Sequence, residues 1–223
     1  MQTGSRQAYI AELLGTMAIV AAVTGAGFMT EFLASGYALG LTMIALTVAA
    51  VLFVAISTLG PISGAHFNPV VTIAFLVRGE ISPRAAASYL GFQLLGAVAG
   101  AGATSLMFER NIAAISTLDR FSSGTFFGEV VATAGLVMLI VILVANSRAN
   151  LVAGSVAAWI FAGHIFTSST SFANPAVTIG RIFTEAPSGI SVDSALWFTI
   201  AQLVGLGLAL LLIAFLKPKE KTQ

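Results

Sequence analysis

Two short stretches decide the fold: Phe67-Asn68-Pro69-Val70-Val71-Thr72-Ile73 and Ala173-Asn174-Pro175-Ala176-Val177-Thr178-Ile179. Their asparagines lie about half the chain apart. A second repeated segment precedes each one, Ala11-Glu12-Leu13-Leu14-Gly15-Thr16 and Gly128-Glu129-Val130-Val131-Ala132-Thr133. Two repeated elements in the same order predict two structural halves, about 1–110 and 120–223, within a single domain over 1–223.

The composition around these motifs is that of a membrane protein. Of the 223 residues, 57% are hydrophobic and 9% are charged, whereas soluble domains carry about 25% charged residues. The net charge of +1 offers no basic face for a nucleic-acid partner. The absence of cysteine excludes disulfides and thiolate metal sites. We therefore expect an integral membrane protein without a cofactor or a bound metal.

Six apolar stretches are long enough to cross a bilayer as helices, at about 8–28, 37–59, 83–107, 125–146, 150–168 and 194–216. Six spans put both termini on one side. That side would carry Arg6, Arg78, Arg84, Arg148, Lys217, Lys219 and Lys221, and the other would carry Arg110, Arg120 and Arg181. The positive-inside rule then predicts cytoplasmic termini in a cell (inner) membrane. Because each half has three spans, the halves are expected to have inverted topology.

Each Asn-Pro pair opens an apolar stretch of about ten residues, 68–78 and 174–184, which is too short to span. Asparagine is a strong N-cap and proline is favoured at the first helical position. The motifs therefore predict two re-entrant half-helices that enter from opposite faces and meet, with a joint length of about 30 Å. Facing N-termini would repel cations at mid-pore, and the asparagine amides could donate hydrogen bonds to a solute.

These residues resemble the aquaporin, or major intrinsic protein, family. Ser63-Gly64-Ala65-His66-Phe67-Asn68-Pro69-Val70-Val71-Thr72 is similar to the first family signature, with Val70 in place of alanine, and Asn174-Pro175-Ala176 is the second. The resemblance covers essentially the whole chain. It implies an all-α fold of six membrane helices and two half-helices around a pore, a homotetramer, and passive flow of water or small neutral solutes.

The chain departs from the family at the outer filter, where most members carry an arginine directly after the second motif. Here that residue is Val177. Counting from the motifs places Val48, Ala162 and Ser171 at the other filter positions. A local gap would put His164 in place of Ala162, and the ungapped count favours Ala162.

This inferred filter is wide and uncharged. It resembles that of bacterial aquaglyceroporin-like channels that lack the arginine. We therefore expect solutes larger than water, such as glycerol and neutral metalloids including arsenite and methylarsenicals, besides water itself. A water-selective aquaporin is the alternative.

Other residues are expected to have supporting roles. Glu12 and Glu129 are acidic residues inside spans, and the resemblance implies that they accept hydrogen bonds from the half-helix loops. His66 is expected to anchor a loop. Arg181 has two interpretations, an interfacial arginine, which we favour, or a displaced filter cation. Gly96 and Gly100 predict close helix packing.

Two other classes of protein are disfavoured. The sequence has no His-Glu-x-x-His, Gly-x-Ser-x-Gly or Ser-x-x-Lys motif, so we do not expect an enzyme. An ion-coupled secondary transporter would need coupling carboxylates at the midplane, where only Glu12 and Glu129 are available.

Overall fold

A computed structural model describes residues 4–34 and 36–216. This part of the chain contains six helices that are long and apolar enough to cross a membrane: α1 (Arg6–Phe32), α2 (Tyr37–Ser63), α4 (Pro83–Met107), α5 (Ser123–Ala145), α6 (Val152–Phe166, preceded by a 3₁₀ turn at Ala149–Leu151) and α8 (Val192–Leu216). Two short helices, α3 (Pro69–Val77) and α7 (Pro175–Gly180), complete the fold. The predicted all-α membrane architecture is confirmed. Lys217, Lys219 and Lys221, which entered the charge count, lie outside the described residues.

The ends of the long helices follow from local chemistry. The Ser5 hydroxyl accepts a hydrogen bond from the Ala8 amide at 3.1 Å, so it caps α1. Ser82 caps α4 through the Ala85 amide, and Pro83 occupies the first helical position. Ser122 opens α5 with a reciprocal capping box. Each cap satisfies an amide that the helix itself leaves unpaired.

The helices pack as two related sets of three. α1 packs against α4 and α2, and α5 packs in the same way against α8 and α6. The glycines predicted to allow close packing do so. A methyl group at Gly96 would overlap the carbonyl oxygen of Leu13, and one at Gly100 would lie 2.5 Å from the carbonyl oxygen of Met17. In the second set, a methyl group at Gly205 would lie 2.7 Å from the Val130 carbonyl oxygen.

The two half-helices lie between these sets and contact each other. α3 has 9 residues and α7 has 6, which gives a joint length of about 22 Å rather than the predicted 30 Å. The prediction is wrong at α7, which ends at Gly180. Beyond it the backbone turns, because the carbonyl groups of Arg181 and Ile182 accept hydrogen bonds from Ile190 and Ser116.

Candidate functional site

The two Asn-Pro motifs meet through reciprocal hydrogen bonds. Asn68 Oδ1 accepts from the Val70 amide at 3.1 Å, as expected of an N-cap, while its Nδ2 donates to the Ala173 carbonyl at 2.8 Å. Asn174 caps α7 in the same way, and its Nδ2 donates to the Phe67 carbonyl at 2.8 Å. Each amide nitrogen keeps a second hydrogen that can be donated to a solute. Both asparagines line one cavity.

Glu12 holds the first loop. Its Oε1 accepts from the Ser63 hydroxyl at 2.7 Å and from the His66 amide at 2.9 Å. Its Oε2 accepts from the Phe67 amide and from Gln93 Nε2, both at 2.7 Å. All four partners are donors, as an ionised carboxylate requires.

Glu129 holds the second loop in the same pattern. Its Oε1 accepts from the Ser169 hydroxyl at 2.7 Å and from the Phe172 amide at 2.9 Å. Its Oε2 accepts from the Ala173 amide at 2.9 Å and from Gln202 Nε2 at 2.6 Å. The contacts fit the supporting role expected of both glutamates.

The backbone of these loops adopts an unfavourable conformation at matching positions. Ala65 and Phe67 in the first loop, and Ser171 and Ala173 in the second, have φ between 46° and 51°. This left-handed region is uncommon for residues other than glycine, and it persists only where the surroundings impose it. The Phe67 and Ala173 amides donate to the two glutamates, and the Ala65 and Ser171 amides donate to the Ser63 and Ser169 hydroxyls. These hydrogen bonds hold the two loops in this conformation.

His66 is fixed from two sides. Its Nδ1 lies 3.1 Å from the Thr72 hydroxyl oxygen, and its ring stacks on Phe75 with centroids 4.9 Å apart. These contacts fit the expected loop anchor. The ring also lines the cavity that contains the asparagines.

A cavity of about 610 Å³ passes the two motifs and is lined by residues of both halves. Its walls are mainly aliphatic. Three of the four predicted filter residues line this cavity: Val48, Ser171 and Val177. The other motif residues do not line the cavity and are buried in the surrounding packing: Pro69, Val70, Pro175 and Ala176.

The prediction that Ala162 is the fourth filter residue is wrong. Ala162 is exposed on the outside of α6, whereas His164 is 4% exposed and lines the cavity. Two residues correspond to about 200° of rotation around a helix, so the two side chains face nearly opposite directions. The alternative with a local gap places His164, which lies on the cavity side of α6, among the predicted filter residues.

A second cavity, of about 260 Å³, lies next to the first, and its lining includes Arg120, Tyr37 and Pro187. The Arg120 guanidinium donates from Nε to the Gly189 carbonyl and from one terminal nitrogen to the Pro187 carbonyl, each at 2.6 Å. Arg120 therefore links the loop before α5 to the segment that contains Pro187 and Gly189.

Arg181 lies inside the protein and at the wall of both cavities. Its side chain is 4% exposed and lines both cavities. Its Cζ lies 3.4 Å from the centroid of the Phe172 ring. A charged side chain therefore lies in the cavity wall beside the predicted filter, whose own residues are uncharged. Sequence analysis did not single out Phe172, although it stands at the repeat position of His66.

The larger cavity runs past two half-helix N-termini that face each other. This arrangement is typical of one class of membrane protein, the channels with re-entrant half-helices. The sequence pattern of the family described as "Major intrinsic protein" matches residues 1–171. The chain belongs to this family. It is therefore an integral, multi-pass membrane channel that passes small neutral solutes.

Individual relatives agree with this assignment. The chain is 40% identical over 207 residues to aquaglyceroporin AqpS of Rhizobium meliloti, covering 93% of this chain and 88% of that protein. It is 32% identical over 216 residues to the glycerol uptake facilitator protein-like 6 of Lactiplantibacillus plantarum, covering 90% and 94%. The X-ray structure of the aquaglyceroporin from Plasmodium falciparum superimposes with a TM-score of 0.73 at 21% identity, with 94% of each chain covered. This likeness shows the same fold.

Proposed function

We propose that this channel conducts neutral solutes larger than water, with glycerol and neutral metalloids such as arsenite and methylarsenicals as candidates, and also conducts water. The observation that carries the proposal is the position of Val177, which lines the cavity directly after the second Asn-Pro motif. An arginine there would place a long cationic side chain in the pore. Valine leaves that space open and apolar, and Val48 adds a second small apolar wall.

Arsenite at neutral pH is uncharged As(OH)3, so its hydroxyl groups can use the same hydrogen-bond donors as a polyol. The relatives named as aquaglyceroporin and glycerol uptake facilitator support glycerol as a cargo. The asparagine amides supply donors at mid-pore. A solute of this class meets donors along an otherwise aliphatic wall, without a group that binds it tightly.

The experiment compares Val177→Arg with wild type in proteoliposomes, using stopped-flow light scattering with water, glycerol and urea, and uptake assays with arsenite and a methylarsenical. We expect Val177→Arg to lower glycerol and arsenite flux about tenfold or more, the scale on which pockets discriminate small size differences, and to retain most water flux. Val177→Thr is the matched control, because it conserves shape, and it should keep the wild-type ranking.

Two outcomes would contradict the proposal. Wild-type glycerol and arsenite fluxes equal to those of protein-free liposomes would favour the water-selective alternative. Glycerol flux unaffected by Val177→Arg in folded, monodisperse protein would show that Val177 does not limit passage.

The ion-coupled transporter is less well supported by the geometry. Glu12 and Glu129 each accept four hydrogen bonds from the protein. A coupling carboxylate must exchange its partners for an ion during each cycle. We propose passive conduction without catalysis, and solute flux that changes with an imposed sodium gradient would contradict it.

We also propose that the two halves act as one channel domain, because both line the main cavity, and that four copies assemble, as the family resemblance implies. Native mass spectrometry should then give four times the chain mass of 22.9 kDa, and a monomer alone would contradict it.

The charge distribution supports a cell (inner) membrane with cytoplasmic termini. Since the chain has no cysteine, a single Thr117→Cys in the exposed loop before α5 tests this topology. An impermeant maleimide should label it from outside the cell, and labelling only after permeabilisation would contradict the proposed orientation.

A further inference from the structure

Arg181 lies where the two cavities adjoin. Together with His164 it lines both the 610 Å³ cavity and the 260 Å³ cavity. Its backbone amide donates to the Val177 carbonyl at 3.0 Å, so it directly follows the last turn of α7. The side chain thus lies about one helical turn beyond the position where the family usually carries its arginine.

The guanidinium is fixed in place. Its Cζ stacks 3.4 Å from the centroid of Phe172, and its Nε donates to the Ser188 carbonyl at 2.5 Å. The Phe172 ring packs edge-on against Phe198, with centroids 5.0 Å apart, and the Phe172 amide donates to Glu129. The arginine is therefore anchored to the loop that carries the second Asn-Pro motif.

Within the described residues, no carboxylate forms a direct ion pair with this buried cation. Within residues 4–34 and 36–216, the ion pairs are Arg78 with Glu80 and Arg110 with Glu31, and neither includes Arg181. Arg120, the other cation near Phe172, adds positive charge, with its Cζ 5.9 Å from the ring centroid. The junction between the cavities therefore carries a positive charge that no directly paired carboxylate neutralises, in a low-dielectric wall.

His164 completes the junction. Its Nδ1 lies 2.8 Å from the Ile160 carbonyl oxygen. A carbonyl can only accept, so Nδ1 carries the hydrogen and Nε2 of the neutral ring is an acceptor. A solute hydroxyl at the junction would thus find guanidinium donors from Arg181 and an acceptor from His164.

We propose that Arg181 is the cation-excluding residue of this channel and, with His164, a contact site for solute hydroxyl groups. A fixed positive charge in the pore wall raises the barrier for cations and hydronium without a comparable effect on neutral molecules. The arginine supplies from outside α7 the charge that Val177 lacks. This inference goes beyond the proposed cargo, because it concerns charge selectivity and holds whichever neutral solute is physiological.

The test measures proton and potassium leak in proteoliposomes under an imposed membrane potential, with glycerol flux recorded on the same preparations. We expect Arg181→Gln to raise proton leak about tenfold or more, which corresponds to a barrier lowered by about 1.4 kcal/mol. Arg84→Gln is the matched control. It removes an exposed arginine that lines neither cavity and belongs to neither ion pair, and it should leave the leak unchanged.

Two further variants make the test specific. Arg181→Lys keeps a positive charge and should keep the leak low. The double variant Val177→Arg with Arg181→Gln should return the leak toward the wild-type level, because the cation is restored one turn away. If Arg181→Gln does not fold, Arg181→Met, which can keep its packing on Phe172, takes its place.

A leak at the wild-type level in folded Arg181→Gln or Arg181→Met would overturn the inference. An equal leak in Arg181→Lys and Arg181→Gln would also overturn it, since charge would then be irrelevant. Either result would leave the glycerol and arsenite measurements on wild type, and therefore the proposed function, unaffected.

Discussion

Glu12 and Glu129 are the residues on which the two half-helix loops depend most directly. Each is completely buried and accepts four hydrogen bonds, two of them from backbone amides. Two of these amides, those of Phe67 and Ala173, belong to residues at positive φ. A neutral amide in place of either carboxylate would present two hydrogens to groups that are themselves donors.

We therefore expect Glu12→Gln to destabilise the protein by about 3 kcal/mol or more, the scale of breaking a buried charged network. Thermal unfolding and monodispersity in detergent measure this change. The exposed Glu185 provides the control Glu185→Gln, which should be neutral. If Glu12→Gln kept wild-type stability but changed the solute ranking, the supporting role would be wrong.

At the residue scale, the motif residues, the two glutamates and three filter positions could be assigned because each belongs to a repeated or counted pattern, and their roles stay predictions. Sequence analysis was wrong at Ala162, where an error of two residues reversed the face of the helix. It left two interpretations of Arg181 open and did not predict its contact with Phe172. The packing of this side chain against Phe172 depends on a turn after α7 that no local pattern in the sequence predicts.

At the scale of elements, the contact between α1 and α4 is set by glycine. Gly96 and Gly100 face backbone carbonyl groups of α1 so closely that a side chain at either position would displace the helix. A methyl group at Gly102, on the same helix, would meet no atom within 4 Å. The two kinds of site allow a matched comparison.

We expect Gly96→Ala to cost about 1–3 kcal/mol through overpacking, and Gly102→Ala to be neutral or slightly stabilising, since alanine favours helices. Apparent melting temperatures in detergent would show the difference. Equal melting temperatures for the two variants would mean that close contact between α1 and α4 is not needed.

The number of helices could be predicted from apolar run length and the Asn-Pro pairs. Their ends could be predicted to within a few residues with the help of the capping residues. The length of α7 could not be predicted in this way. The apolar run continues beyond Gly180, but hydrogen bonds from Ser116 and Ile190, distant in the sequence, turn the backbone away from the helix. Tertiary contacts override local preference at this point.

At the scale of the whole molecule, the low proportion of charged residues extends to the pore. The main cavity is lined largely by aliphatic side chains. The loop-holding glutamates near the pore are bound by several donors. Of the charged residues that line the main cavity, Arg181 stacks on an aromatic ring and Glu80 is paired with Arg78. Such a pore suits neutral solutes that cross without coupling to ions.

Glycerol flux into proteoliposomes, measured by stopped-flow light scattering with and without an imposed proton or sodium gradient, tests the central claim most directly. The account predicts glycerol entry faster than in protein-free liposomes, equal in both directions and unchanged by either gradient. Glycerol entry no faster than in protein-free liposomes, or entry that follows an ion gradient, would contradict it.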